Sequence, residues 1–559
     1  MRLTIIVIAL AWMITLGCAQ REDYDIIIRN GMIYDGTGSK PYKADLAINA
    51  DTIAFIGDLS NAKGRKEIDA EGKQVTPGFI NMLSWANESL IEDGRSMSNI
   101  HQGVTLEIMG EGWSMGPFND ALKKLQKEDQ TNIRYDIEWT TLGEFLKFLE
   151  KKGISTNVAS YVGATTVRTY VIGEENRKAT PEELQKMRRL VREAMEEGAL
   201  GLGTSLIYPP GFFADTEELI ELSKEVAAYD GIYISHMRNE GNKLLEAVDE
   251  LITIAREAGV RAEIFHLKAA GKNNFHKIDQ VIEKVENARK EGLAITADMY
   301  TYTAGATGMT AGLPPSLEDG GFGELRKRLM DPAIRKKMEA AMRSNPMDWD
   351  NLYYAAGSPE NVILLSFRQD SLKKYIGKSL AEVAKIRGTN PEATAIDLII
   401  QDSSRLGVAY YFISEENLRK QIQLPWMSFG SDASSQAPEG NFLQANPHPR
   451  AYGNFARLLE KYVREEQLIT LEEAVYKLSG LPATNLKLHK RGFLKTGYYA
   501  DVNVFDIQNI KEKTTFSNPH QLSEGMDHVF VNGGHVLENG KHTGIFSGRF
   551  VKGPGAKEN

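Results

Sequence analysis

The stretch GIYISHMRNEG, residues 231–241, decides the fold. Its apolar run, 231–235, ends at His236. A second run, RAEIF at 261–265, delivers His266 in the same way. A helical pattern separates the two. Strand, helix and second strand make a βα repeat, which builds a parallel sheet. In a parallel βα barrel the ends of consecutive strands lie side by side on one rim. Two imidazoles brought to that rim can share one metal ion.

The same alternation extends in both directions. From Thr76-Pro77-Gly78 onward, apolar runs predict strands at 78–82, 104–109, 157–162, 199–203, 231–235, 261–265, 293–297 and 426–430. Eight is the number that closes a (β/α)8 TIM barrel. Thr180-Pro181-Glu182-Glu183 and Thr470-Leu471-Glu472-Glu473 are capping-box starts of intervening helices. The gap before strand eight is long and rich in Lys, Arg and Met. It is expected to hold a helical insertion, about 313–400, covering the rim as a candidate lid. The barrel then occupies 77–491. Short β-rich segments with turn residues fill both ends of the chain, 24–76 and 492–552. Together they predict one small β-sandwich, a structural collar rather than a binding module. The fold class is α/β.

A chain of 559 residues exceeds one ordinary core, which agrees with a large domain plus an accessory part. The net charge of -9 comes without any run of Lys or Arg, so nothing points to nucleic acid. The single cysteine, Cys18, lies near the start, so the body of the chain offers neither a disulfide nor a Cys-based zinc site. Arg2, the apolar run 3–16 and Gly17-Cys18-Ala19-Gln20 have the layout of a secretory signal, residues 1–19. Gly17-Cys18 has the form of a lipoprotein cleavage site, with Cys18 as a lipid anchor. Thr15 stands where such sites usually carry Leu, and cleavage after Ala19 is the competing outcome. Either route exports the protein, to a bacterial periplasm or cell envelope.

Four strand-end residues carry the chemistry. Glu111 follows VTLEIMG, His236 and His266 close their runs, and Asp432 follows MSFGS. One carboxylate and two imidazoles supply the three protein ligands of a zinc site that keeps a position for water. Zinc acidifies such a water, and a neighbouring carboxylate takes its proton. Asp432 is the candidate base. Each residue also has an ordinary alternative. A strand-end histidine can be a hydrogen-bonded structural residue, Asp432 can cap the next helix, and Glu111 can be a solvated rim charge. Glu107, on the same strand, is an alternative ligand.

An ordered set of segments resembles the N-acyl-D-amino-acid deacylases (D-aminoacylases) of the amidohydrolase superfamily. It includes DIIIRNGMIYDGTG, QGVTLEIMGEGWSMGP, GLGTSLIYPPG, SHMRNEG, FHLKAAG, DMYTYTAGATG, FGSDA, NPHPRAYGNF and RGFLKTGYYADVNVFD. The resemblance implies a β-sandwich, a barrel, a metal centre and hydrolysis of an amide C–N bond. It assigns His236 and His266 as metal ligands, Asp432 as general base, and Lys268, Tyr300 and Arg450 as substrate contacts. The cations suit a substrate carboxylate, Arg through a bidentate fork. The departures are equally informative. Leu83 and Trp85 stand where the superfamily has a His-x-His pair, and Glu111 replaces a cysteine. The resemblance therefore implies one Zn2+ held by Glu111, His236 and His266, with Trp85 as the wall of an apolar pocket. Ala306 and Gly312 replace a serine and an arginine of the substrate loop, which argues against an N-acyl-D-glutamate substrate.

The expected function is zinc-dependent hydrolysis of small-molecule N-acyl amino acids, those of D configuration above all. Two rivals remain at this level: a cyclic-amide hydrolase of the hydantoinase or dihydroorotase kind, and an envelope binding protein that has lost catalysis.

Overall fold

The computed structural model describes residues 23–557; the signal segment and Cys18 lie outside these. Eight parallel strands form the barrel: β1 (Phe79–Asn81), β2 (Val104–Met109), β3 (Asn157–Ser160, resumed at Val162–Gly163), β4 (Gly201–Ser205), β5 (Ile232–His236), β6 (Arg261–Ile264), β7 (Ile295–Met299) and β8 (Met427–Phe429). They pair in chain order. Backbone bonds from Met82 N to Phe429 O (3.1 Å) and from Asp432 N to Leu83 O (2.8 Å) join the last strand to the first. These strands are buried along almost their whole length, which explains why they read as continuous apolar runs instead of alternating ones. Ile80, Leu106, Ile108, Tyr161, Ile234 and Phe265 share one buried cluster.

Helices between the strands start where the sequence signals them. The Thr180 and Thr470 hydroxyls accept from the backbone N–H of Glu183 and Glu473, and both glutamates return the bond to the cap. Satisfying two otherwise unpaired N–H groups at each helix start fixes where the helix enters its βα unit.

Nine strands drawn from both chain ends make a separate sheet. Val502–Phe505 runs antiparallel to Gln74–Pro77, so the returning chain pairs with the segment that leads into β1. Ile28, Leu46, Ile48, Val75, Val502 and Phe530 form its apolar core. The segment GRFVK was expected in this layer. Instead, Val158 N donates to Arg549 O and Val551 N to Val158 O, so the stretch lies along β3. Strand β4 begins too late to pair with that part of β3, and residues 549–551 complete its ladder.

The insertion before β8 carries helices Phe322–Leu329, Pro332–Met342, Leu380–Arg387 and Pro391–Asp402. It also holds a three-stranded antiparallel sheet of Ala304–Gly308, Gly407–Tyr411 and Val362–Leu364. Those strands are only three to five residues long, and Ala304–Gly308 is all Gly, Ala and Thr, so periodicity alone does not reveal them. Thr307, Phe322, Arg405 and Phe412 of this region line a cleft of about 780 Å³ over the barrel rim.

Candidate metal centre

Glu111, His236 and His266 converge at the floor of that cleft. Glu111 Oε1 lies 2.8 Å from His236 Nδ1 and 3.0 Å from His266 Nε2. The ring centroids of the two histidines are 4.4 Å apart and nearly perpendicular. One atom from each of the three residues falls within 4.8 Å of the others, close enough to surround a single ion. His236 Nε2 is buried without a hydrogen-bond partner. A neutral-imidazole and carboxylate donor set suits zinc, so the residues fit the ion.

Local backbone geometry explains how the ligands reach one point. Gly110 has φ +103°, and a Cβ there would meet Tyr161 O at 2.3 Å. This turn breaks the alternation of β2 and gives Glu111 a direction of its own. Glu107 stays behind, enclosed by Ser84 (2.7 Å), Ser96 (2.5 Å), Asn99 (2.8 Å) and Thr156 (2.9 Å). It does not join the histidines. His266 (φ +33°) and Asp432 (φ +48°) both adopt left-handed backbone at strand ends. Non-glycine residues adopt this conformation uncommonly, and the cost must be met by bonds from neighbouring structure. Here the His266 N–H is tied to Asp298 Oδ1 at 2.9 Å, and the Asp432 N–H is tied to Leu83 O.

Charge is tightly balanced. Burial acts to raise the Glu111 carboxyl, but the bonds from His236 and His266 outweigh it and hold it at about 2. Burial and Lys268 act to lower His266; bonds to Glu111 and Glu240 reverse this and carry it to about 10. Asp432 is raised by burial, an effect opposed by Arg450. The floor therefore gathers the carboxyl groups of Glu111, Glu240 and Asp432 around two imidazoles, with Lys268 and Arg450 beside them.

The three residues matched to substrate contacts also line the cleft. Arg450 Nη1 lies 2.8 Å from Asp432 Oδ2, and the guanidinium stacks 4.5 Å from the Tyr300 ring centre. Its buried Nε and Nη1 make no hydrogen bond of ordinary geometry, so the fork keeps donor capacity. Tyr300 is buried. Gly305 makes room for it, because a Cβ there would meet the Tyr300 hydroxyl at 2.9 Å. Lys268 Nζ sits 2.6 Å from Glu240 Oε1 and 2.8 Å from His266 Nδ1.

Glu240 was not singled out from sequence, although it lies inside SHMRNEG. Its Oε1 is 3.2 Å from His266 Nδ1, and its Oε2 is 3.8 Å from His236 Nε2. It backs the His266 ring within hydrogen-bond distance, the arrangement that fixes ring orientation and tautomer behind a metal, and lies near the His236 ring. Glu240→Ala is expected to weaken zinc binding by about 10- to 100-fold, measured by competition with a chromogenic chelator. Tyr208 was missed as well; its ring packs edge-on to His236 at 5.3 Å and under Arg405 at 4.8 Å. Trp85 lines the cleft but is more than an apolar wall. Its indole N–H reaches Glu111 Oε2 and Asp432 Oδ1, each at 3.1 Å.

Known proteins are similar to this chain along most of its length. A D-aminoacylase of Alcaligenes xylosoxydans xylosoxydans is 30% identical over 531 residues, covering 95% of this chain and 98% of the relative. The chain belongs to the D-aminoacylase family of amidohydrolases. A family model described as "Amidohydrolase family" matches residues 427–537, the stretch that contains Asp432 and Arg450. Among solved D-aminoacylase-type structures, one concerns the binuclear metal centre of D-aminoacylase, with one-metal activation and second-metal attenuation. It is 29% identical with a TM-score of 0.78, covering 95% of this chain and 100% of that one. The N-acyl-D-glutamate deacylase of Bordetella bronchiseptica, complexed with zinc and a phosphonate mimic of the tetrahedral intermediate, is 27% identical. Its TM-score is 0.78, at 95% and 100% coverage.

Proposed function

We propose that this D-aminoacylase-family protein is a zinc-dependent deacylase. It hydrolyses the amide bond of N-acyl amino acids of D configuration to a carboxylate and a free amino acid. The observation that carries this reading is the convergence of Glu111, His236 and His266 on one point, with Asp432 facing them across the cleft floor. The first three hold one ion. When bound, zinc supplies Lewis acidity to the scissile carbonyl and the attacking water. Asp432 takes a proton from that water and returns it to the leaving nitrogen as the C–N bond breaks. Arg450 and Lys268 bind the substrate carboxylate, and Tyr300 donates to the carboxylate or to the scissile oxygen. The insertion closes over the cleft and excludes water. Export to the periplasm or envelope, with Cys18 as a possible lipid anchor, rests on the leader sequence 1–19.

The test is a panel of N-acetyl-D- and N-acetyl-L-amino acids with purified protein, before and after chelation. Free amino acid should be released from D substrates, lost on chelation and restored by zinc. Turnover of hydantoins or dihydroorotate but not of N-acyl amino acids would contradict the reading. So would tight substrate binding without turnover.

A further inference from the structure

We infer that Trp85 is a positioning residue: its indole N–H fixes Glu111 and Asp432 relative to each other and takes the place of a second metal ion between them. The inference rests on the deacylase reading for the roles of those two carboxylates.

Glu111 and Asp432 both carry carboxyl groups, and both are buried or nearly so. Two carboxylates facing one another in a low-dielectric cleft repel unless something positive lies between them. In this chain the positive end of a neutral N–H dipole lies between them, while the Arg450 guanidinium pairs with Asp432 from its other oxygen. Trp85 Nε1 stands 3.1 Å from Glu111 Oε2 and 3.1 Å from Asp432 Oδ1, sharing one N–H between them. Each carboxylate is thereby divided by function. Glu111 turns Oε1 to the two imidazoles and gives Oε2 to the indole. Asp432 gives Oδ1 to the indole and Oδ2 to Arg450. Neither side chain can rotate without breaking a hydrogen bond or an ion pair.

The donor itself is held rigidly. Ser84 N donates to Ile108 O (2.7 Å), Trp85 N to Ala433 O (3.0 Å), and Leu83 O accepts from Asp432 N. The segment 83–85 is thus bonded to β2 on one side and to the residues that follow β8 on the other, at the point where the barrel closes. Gly430 allows that closeness, since a Cβ there would lie 2.8 Å from Leu83 Cβ. A second cation between the carboxylates would have to displace an indole whose backbone is bonded on both sides. Leu83 and Trp85 offer it no ligand. The sequence change at 83 and 85 is therefore a replacement, in which a fixed N–H does the bridging work of an ion.

The test uses Trp85→Phe, which keeps an aromatic ring and removes the donor. A chain carrying benzothienylalanine at position 85, with sulfur in place of N–H, preserves ring shape if the Phe variant folds poorly. Zinc per chain is measured by mass spectrometry after equilibration with excess zinc, and kcat and KM are measured separately. The wild-type protein is expected to hold one zinc, and both variants are also expected to hold one. In the variants kcat falls by about tenfold or more, the scale of a hydrogen bond to a charged group, while KM changes by less than about twofold. Leu83→His with Trp85→His is expected to take up two zinc ions.

Three results would overturn the inference: two zinc ions in the wild-type protein, an unchanged kcat in either donor-less variant, or a single zinc in the double-histidine variant. None of these would touch the deacylase activity itself, which stands or falls on turnover by the wild-type protein.

Discussion

His266→Ala protein should purify with little zinc and lose deacylase activity by roughly a thousandfold or more, about 4 kcal/mol of transition-state stabilisation. The reason lies in how many bonds end on this ring. Nε2 faces Glu111 at 3.0 Å, and Nδ1 faces Glu240 and Lys268. Removing it leaves two protein ligands, too few for a tight zinc site. It also leaves the buried Glu111 and Glu240 carboxylates with less positive charge around them. Glu111→Ala and His236→Ala are expected to behave alike, because the three side chains act as one unit. Zinc per chain, read by mass spectrometry beside thermal unfolding, separates lost metal from lost fold. Unchanged zinc in all three variants would remove these residues from the metal centre.

Asp432→Asn is expected to separate chemistry from metal binding. Zinc stays at the wild-type level, because Asp432 is not among the converging ligands. Activity falls by about 10²- to 10⁴-fold, the usual contribution of a positioned acid–base group. The substitution is nearly isosteric but not neutral in hydrogen bonding. An amide carries one acceptor and one donor end. Asp432 meets a donor on each side, the Trp85 indole N–H and the Arg450 guanidinium. Whichever way the Asn amide turns, its NH2 group faces another donor. Part of the loss is therefore misorientation. A kcat decrease with zinc retained is still the expected signature; loss of zinc would mean that Asp432 helps hold the ion.

Much of this was legible in the sequence because barrel strands buried on both faces leave long apolar runs. That gave all eight strands and the residues at their ends. The capping boxes at Thr180 and Thr470 follow local chemistry and needed no tertiary context. What escaped depends on contacts between distant segments. Glu107 and Glu111 looked interchangeable by alternation until Gly110 broke the register of β2. Glu240 gave no periodic signal, since its role is set by Lys268 and two imidazoles from neighbouring strand ends. Trp85 read as apolar because its bulk is obvious, whereas the position of one N–H relative to Asp432, nearly 350 residues away in the chain, is not. The strands Ala304–Gly308 and Gly407–Tyr411 pair across about a hundred residues of chain, and each is only five residues long.

The most direct measurement is a zinc titration of metal-free wild-type protein with an N-acyl-D-amino acid as substrate. The account predicts no deacylation without metal and a linear rise that reaches a plateau at one zinc per chain. Full activity in the metal-free protein, or a rise that requires a second equivalent, would contradict it.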